Sequence, residues 1–253
     1  MNMGMVLGKP ALLINEALII ADLHIGIEFE YYKSGIKIPS TTEMIKNEIE
    51  NLLKKTKPKR LIILGDVKHK VPGITKQELR EIPDMLYHLG TKLQVEIIPG
   101  NHDAGLKKLI PSNIVLHPSK GIMLDKAFLL HGHCWPADEF LQSEYVIVGH
   151  EHPQIEFCDS LGYRFSEPVW LRAKLNKNAL KRRYAHLPEK LPELIVMPRF
   201  NKLSGGIAFN RPISEIKRHK AFGIGTLVKS SKLDEAEVYL LDGTFLGNLK
   251  ELY

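Results

Sequence analysis

The chain reads as an α/β protein, and three observations point there. Through the first hundred residues, apolar β-branched runs alternate with segments whose apolar positions recur at helical spacing. Those runs are strand-sized rather than helix-sized, and several end in a short polar step that delivers Asp, Asn or His. An alternation of this kind implies a largely parallel sheet whose polar loops gather at one edge. With 253 residues, 44% of them hydrophobic, the chain can bury a large core. We expect one domain over residues 1–253, with a soft boundary near residue 163 and residues 164–204 as a basic subdomain or insertion.

The first element is a hairpin, residues 11–14 and 17–20 about a turn at Asn15-Glu16. Its second strand runs into Asp22-Leu23-His24. Side chains alternate along an extended chain, so Asp22 and His24 fall on one side and can share a cation. Residues 26–39 have no periodicity and read as irregular. Ser40 and Glu43 spell a capping box, opening a helix that carries Met44, Ile45, Ile49, Leu52 and Leu53 and ends by Pro58. Residues 60–64 form the next strand, delivering Gly65-Asp66-Val67-Lys68-His69. A second capping box, Thr75 and Glu78, opens a helix through Leu79, Ile82, Leu86 and Leu89 to a Gly90 cap, with a kink or break expected at Pro83.

Residues 93–98 are a buried strand halted by Pro99-Gly100, after which come Asn101, His102 and Asp103. Short strands follow at 114–116, 121–124 and 127–130, the last delivering His131-Gly132-His133. Residues 137–141 read as helical, and 145–148 as a strand delivering Gly149-His150-Glu151-His152. Glu151, the middle of an alternating triplet, should point away from its neighbours. Further strands are expected at 169–175, half-exposed, and at 194–197, 223–228, 237–241 and 244–249, with residues 199–206 as a polar loop.

Composition narrows the function. No stretch is apolar enough to span a membrane, and residues 1–9 lack the order of an export signal, so a cytoplasmic location is expected. Two cysteines, Cys134 and Cys158, without Cys-x-x-Cys spacing, fit a reducing compartment and no thiolate metal site. A formal net charge of +6 favours polyanionic partners, although a lysine-rich solvated surface gives the same figure.

Five strand ends thus carry Asp22 and His24, Asp66, Asn101 and His102, His131, and His150 and His152. Carboxylate, imidazole and amide oxygen without thiolate suit hard to borderline divalent ions. These groups outnumber the needs of one ion. Two ions about 3.5–4 Å apart can clamp the attacking and leaving oxygens of a phosphoryl group. The ordered blocks Asp22-x-His24, Gly65-Asp66, Gly100-Asn101-His102-Asp103, His131-Gly132 and Gly149-His150-x-His152 resemble the calcineurin-like metallophosphoesterase superfamily, and they extend over half the chain.

The resemblance implies a four-layer αββα sandwich of two mixed sheets with a dinuclear centre at one edge. It implies that Asp22, His24 and His152 hold one ion, that Asn101, His131 and His150 hold the other, and that Asp66 bridges them. The cofactors would be two divalent ions, manganese foremost, with iron, cobalt, nickel, zinc or magnesium as alternatives. His102 would be the general acid at the leaving oxygen, with Asp103 orienting and charging its ring. His69, His133 and Arg199 are the substrate-binding candidates; His69 matches a phosphate contact of SbcD-type nucleases, and His133 either replaces His131 as a ligand or lies behind it.

The block from Gly65 to His69 and the second half of the chain look most like the small SbcD-related phosphoesterases, which implies a phosphodiester substrate, DNA in particular. SbcD nucleases also carry a capping region and a helical segment that binds an SMC-type ATPase. The chain has room for neither in full, which argues against such a partner. The basic residues 164–190, with Trp170, Tyr184 and Arg199, form either a phosphate-tracking surface with stacking aromatics or a solvated face over a buried Trp170. Two rival functions use the same fold: a phosphoesterase of nucleotides or cyclic nucleotides, and a non-catalytic scaffold, against which His102 argues. Oligomeric state is left open by the sequence.

Overall fold

The computed structural model describes residues 1–211 and 224–253. Its first sheet has the order β1 (Met3–Met5), β2 (Leu12–Ile14), β3 (Ala17–Ile20), β4 (Arg60–Ile63), β5 (Gln94–Ile97), β6 (Ile114–Leu116). β1, β2 and β3 pair antiparallel as a meander, and β3 to β6 run parallel. Parallel neighbours need crossovers, and the helices after β3 and β4 supply two: α1 (Glu28–Lys33) with α2 (Thr42–Thr56), then α3 (Lys76–Gly90). Ile45, Ile49 and Leu52 of α2 and Ile82, Leu86 and Leu89 of α3 pack on Leu18, Ile20, Leu61, Ile63, Val95 and Ile97. Ile49 is fully buried there, and Ile49→Ala would cost about 2–5 kcal/mol.

The second sheet contains β7 (Ile122–Leu124), β8 (Ala127–Leu130), β9 (Tyr145–Val148), β10 (Pro153–Cys158), β11 (Arg164–Lys174), β12 (Glu193–Val196), β13 (Ile207–Ala208), β14 (Glu237–Leu240) and β15 (Phe245–Asn248). Its order is β13-β10-β11-β12-β9-β8-β7, with β14 and β15 branching from β11. β8, β9 and β12 run parallel to one another. Ile19, Ile62 and Leu64 of one sheet meet Leu129, Ile147, Trp170 and Ile195 of the other in the inter-sheet core. The outer face of the second sheet is covered by short pieces, among them α4 (Lys177–Leu180), α5 (Thr226–Lys229) and a 3-10 turn at Asp138–Gln142. The expected four-layer αββα sandwich of two mixed sheets is therefore present, with a thin fourth layer. Among the described residues no helix is long and apolar enough to cross a membrane.

Several expectations need correction. The stretch read as irregular contains α1, which presents Glu28. Glu28 Oε1 accepts from both the backbone N and the Oγ1 of Thr41, 2.6 Å each, so the Ser40–Glu43 capping box does not form and Ser40 Oγ donates to Glu81 instead. Met44 and Leu79, read as core, are exposed. The Thr75–Glu78 box does form, but Pro83 does not break α3. The carbonyl that Pro83 leaves free belongs to exposed Leu79, on the solvent side. Gly90 is the last helical residue rather than the cap, and a Cβ there would stand 2.5 Å from Asn113 Nδ2.

Of the strand expected half-exposed at 169–175, the alternation holds over 172–175, where Arg172 and Lys174 are exposed and Ala173 and Leu175 buried, but residues 169–171 are buried on both faces, with Val169 and Leu171 in the outer core and Trp170 between the sheets. Trp170 and Tyr184 are thus core residues and offer no stacking surface. The strand expected at 223–228 is instead α5 over its described part; residue 223 lies outside the described residues. Residues 164–204 supply β11 and β12, inner strands of the second sheet, and α4 on its outer face.

Candidate metal centre

The carboxyl ends of β3, β4 and β5 in one sheet and of β8 and β9 in the other open onto the same edge. There the chain turns sharply. Among the described residues, eight non-glycine residues have positive φ, and five of them are Asp22, His24, Asp66, His150 and His152. Each such backbone costs about 1–2 kcal/mol, a strain that persists where surrounding structure imposes it and that gathers at functional sites. Gly65 (φ +72°) makes the approach possible, since a Cβ there would stand 2.6 Å from both Gly100 N and His131 Nδ1.

Three sets of ligand-type atoms lie within 4.8 Å of one another: the triads Asp22–His24–His152 and Asp66–His131–His150, and a further all-histidine set, His24–His69–His102, that shares His24 with the first triad. In the first, His24 Nε2 lies 3.3 Å from His152 Nε2, which is 3.4 Å from Asp22 Oδ1. In the second, His131 Nε2 lies 3.4 Å from Asp66 Oδ2, 3.2 Å from His150 Nδ1 and 3.1 Å from Asn101 Oδ1. Asp66 Oδ2 is also 3.6 Å from His24 Nε2, so this carboxylate stands between the sets.

The ring protons have other destinations. His131 Nδ1 donates to the Leu64 carbonyl (2.8 Å) and His152 Nδ1 to the Gly205 carbonyl (2.7 Å), which turns both Nε2 lone pairs inward. Facing lone pairs at such distances repel unless a cation or proton lies between them. Burial lowers His24 well below the usual histidine range, and burial with the neighbouring His131 lowers His150 to about 3. Burial also opposes charge on Asp66, yet His131, His24 and His102 hold its carboxyl well below the ordinary range. Burial resists protonation of His131, but Asp66 and Asp22 raise it to about 10. In the metal-free protein a proton on His131 thus takes the place where a cation would bind, and metal uptake should release it. Anionic carboxylates, an amide oxygen and convergent imidazoles fit two divalent ions.

His102 sits beside this set. Its backbone N donates to Asp66 Oδ1 (2.9 Å), its Nε2 is 3.9 Å from Asp66 Oδ2, and its Nδ1 bonds the His69 carbonyl. The Asp103 carboxylate instead accepts the backbone amides of Gly100 (2.8 Å), Val67 (2.9 Å) and Lys68 (3.3 Å). It is therefore a staple between two strand-end loops, and the expectation that it orients the His102 ring is corrected: its charge is used on amides, and a carbonyl holds Nδ1. Burial and the charge of Asp66 raise Asp103 to about 6. His69 stacks on His102 (5.4 Å between ring centroids) and brings its Nδ1 to 3.2 Å from His24 Nδ1. Burial and the nearby His102 lower His69 to about 4.

His133 lies outside both triads, 5.4 Å from the His131 ring, with its buried Nδ1 unpartnered. Arg199 reaches the rim of the first triad. With the Gln154 amide turned oxygen-first, both terminal guanidinium nitrogens donate to that oxygen, and Nε is buried without a partner. Glu151 points away, as expected, and accepts from Gly225 N.

Three supports escaped sequence reasoning. Asn201 Nδ2 donates to the Leu23 carbonyl (2.8 Å), Gly205 holds His152, and Tyr31 Oη donates to Leu203 O (2.9 Å). Glu78, read only as part of a capping box, also accepts the amides of His69 and Lys70. Buried Lys68 bonds the Lys70 and Gly73 carbonyls of the same loop. Apart from the capping-box spacing of Glu78, none of these carries a periodic or spacing signal.

The calcineurin-like phosphoesterase family matches residues 17–186. No curated protein matches the chain. Among solved structures, nuclease MPE from Pseudomonas putida is 21% identical with a TM-score of 0.56, covering 95% of this chain and 98% of that one, a likeness of fold. The E. coli phosphoesterase Yfce is 17% identical over 57% of this chain and 74% of its own, with a TM-score of 0.35.

Proposed function

Because the chain belongs to the calcineurin-like phosphoesterase family and is a phosphoric ester hydrolase, we propose that it cleaves phosphodiester bonds of nucleic acid, DNA in particular, with two divalent ions, manganese foremost. The observation that carries this reading is the pair of triads, with Asp66 of the second 3.6 Å from His24 of the first and His102 beside them. In it Asp22, His24 and His152 hold one ion, Asn101, His131 and His150 the other, and Asp66 lies between. The ions supply concentrated positive charge for the phosphoryl oxygens and acidify water.

The remaining steps belong to the chain. His102 gives the leaving oxygen its proton from Nε2, while the His69 carbonyl keeps Nδ1 protonated and the ring in place. Asp103 fixes the distance between the Asp66 and His102 loops. His69 and His133, uncharged at neutral pH, face the substrate as hydrogen-bonding rather than charged groups. The net charge of +6 and the likeness to small SbcD-related phosphoesterases support a polyanionic substrate, and the unpaired Cys134 and Cys158 support a cytoplasmic setting.

A panel on chelator-stripped protein tests this: manganese, magnesium, iron, nickel and zinc against bis-p-nitrophenyl phosphate, p-nitrophenyl phosphate, cyclic nucleotides and single- and double-stranded DNA. Manganese-dependent cleavage of DNA and the small diester, with little monoester hydrolysis, is expected. Activity confined to nucleotides would contradict the nucleic-acid substrate, and inactivity with every metal would contradict hydrolysis altogether.

A further inference from the structure

Arg199 is a half-buried cation that pairs with no carboxylate among the described residues. The guanidinium is held by the neutral Gln154 amide, and its Nε is buried and unpartnered. Burial without a counter-charge lowers its pKa, with Asp22 and Tyr31 the groups that partly offset this. A desolvated guanidinium in this state favours an anion that brings its own oxygens, and a phosphate diester offers two that can take the terminal nitrogens over from the single Gln154 oxygen.

Its position narrows which phosphate. His69 and His152 approach opposite nitrogens of the His24 ring, Nδ1 at 3.2 Å and Nε2 at 3.3 Å. His102 stacks with His69, on the leaving-group side; Arg199 bonds Gln154, two residues beyond His152, on the other. Asp66, which marks the middle of the centre, is flanked by His131, His24 and His102. Arg199 is therefore on the His152 side of His24, opposite His69 and His102. Resting on the proposed function, we infer that Arg199 binds the phosphate next to the scissile one, on the side away from the leaving group, so that the substrate is a chain of at least two phosphodiesters rather than a single diester.

The test compares wild type with Arg199→Gln and Arg199→Lys, melting temperatures serving as a check on folding. The ratio of kcat/KM on a single-stranded oligonucleotide to that on bis-p-nitrophenyl phosphate should fall about ten- to a hundredfold in Arg199→Gln, with Arg199→Lys recovering part of it. Anisotropy titrations of metal-free protein with a labelled oligonucleotide should lose about 0.7 from the slope of log Kd against log salt, the contribution of one phosphate contact. An unchanged ratio and an unchanged slope would overturn the inference while leaving nuclease activity intact. Equal losses on both substrates would also overturn it, placing Arg199 on the scissile phosphate. A wild-type enzyme that cleaves the small diester but no oligonucleotide would contradict the nuclease reading itself.

Discussion

The two halves of the metal centre are held by different parts of the chain. Asp66, His131 and His150 are fixed from within the sandwich: His131 is fully buried, its Nδ1 bonds the carbonyl at the end of β4, and Gly65 leaves no room for a side chain beside it. Asp22 and His24 also lean on the interior, their amides donating to the Gly65 and Asp66 carbonyls, but together with His152 they take a second support from outside, a loop that follows β12. There Asn201 binds the backbone between Asp22 and His24, and Gly205 binds His152. The inner half is a by-product of strand packing and cannot change without disturbing the core. The outer half adds a few contacts from that loop to its interior support, so its metal affinity can vary while the fold stays intact.

The largest break in this comparison removes what both halves share. Asp66→Asn should lower diester hydrolysis by about a thousandfold, the several kcal/mol of charge stabilisation that a metal pair contributes, and elemental analysis should find fewer than two ions per chain. Gly65→Ala attacks the inner half alone. With φ at +72° and a Cβ 2.6 Å from His131 Nδ1, it should cost about 1–3 kcal/mol of stability together with metal binding, read as a lower melting temperature.

Asn201→Ala attacks the outer half. It should weaken one of the two ions about 10–100-fold in calorimetric titration and leave the other in place, at a stability cost of about 1–3 kcal/mol for the buried hydrogen bonds lost. Equal weakening of both ions would mean that the halves are not separately supported.

The smallest effect on the centre comes from a buried ion pair away from both triads. Burial opposes charge on Glu96, but Arg60, in two hydrogen bonds of 2.6 and 2.9 Å, and His117 at 2.6 Å hold its pKa below 4.5. A carboxyl depressed on folding contributes stability that is full above its unfolded value and lost as pH falls through its folded one. In metal-free protein, the melting temperature of wild type should therefore drop more between pH 7 and pH 3 than that of Glu96→Gln. Metal content at neutral pH should be the same in both.

The same inside and outside division governs what was legible in the sequence. Every strand that delivers a candidate ligand was visible, because a parallel strand buried on both faces is a short apolar run and the polar residues of its loop follow at once, as at Ile63 to Asp66 and Val148 to His150. The ligand-type pairs two residues apart were visible for the same reason. Facing and support were not. Glu28 takes over the start of α2 from a distant helix, so a correctly spaced Ser40–Glu43 pair formed no box. The burial of Trp170 depends on β14, which pairs with β11 from some seventy residues downstream. Asp103 looked like a partner for the imidazole beside it, but three backbone amides reach its carboxylate first. Asn201 and Gly205 stood in a loop with no periodicity, and only the tertiary fold shows that they hold the outer triad.

The central claim is that two ions, one for each triad, act together on the phosphoryl group. Its most direct test is diester hydrolysis by chelator-stripped protein as manganese is added in known equivalents. The account predicts little activity up to one ion per chain and full activity at two; full activity at one equivalent, or without metal, would contradict it.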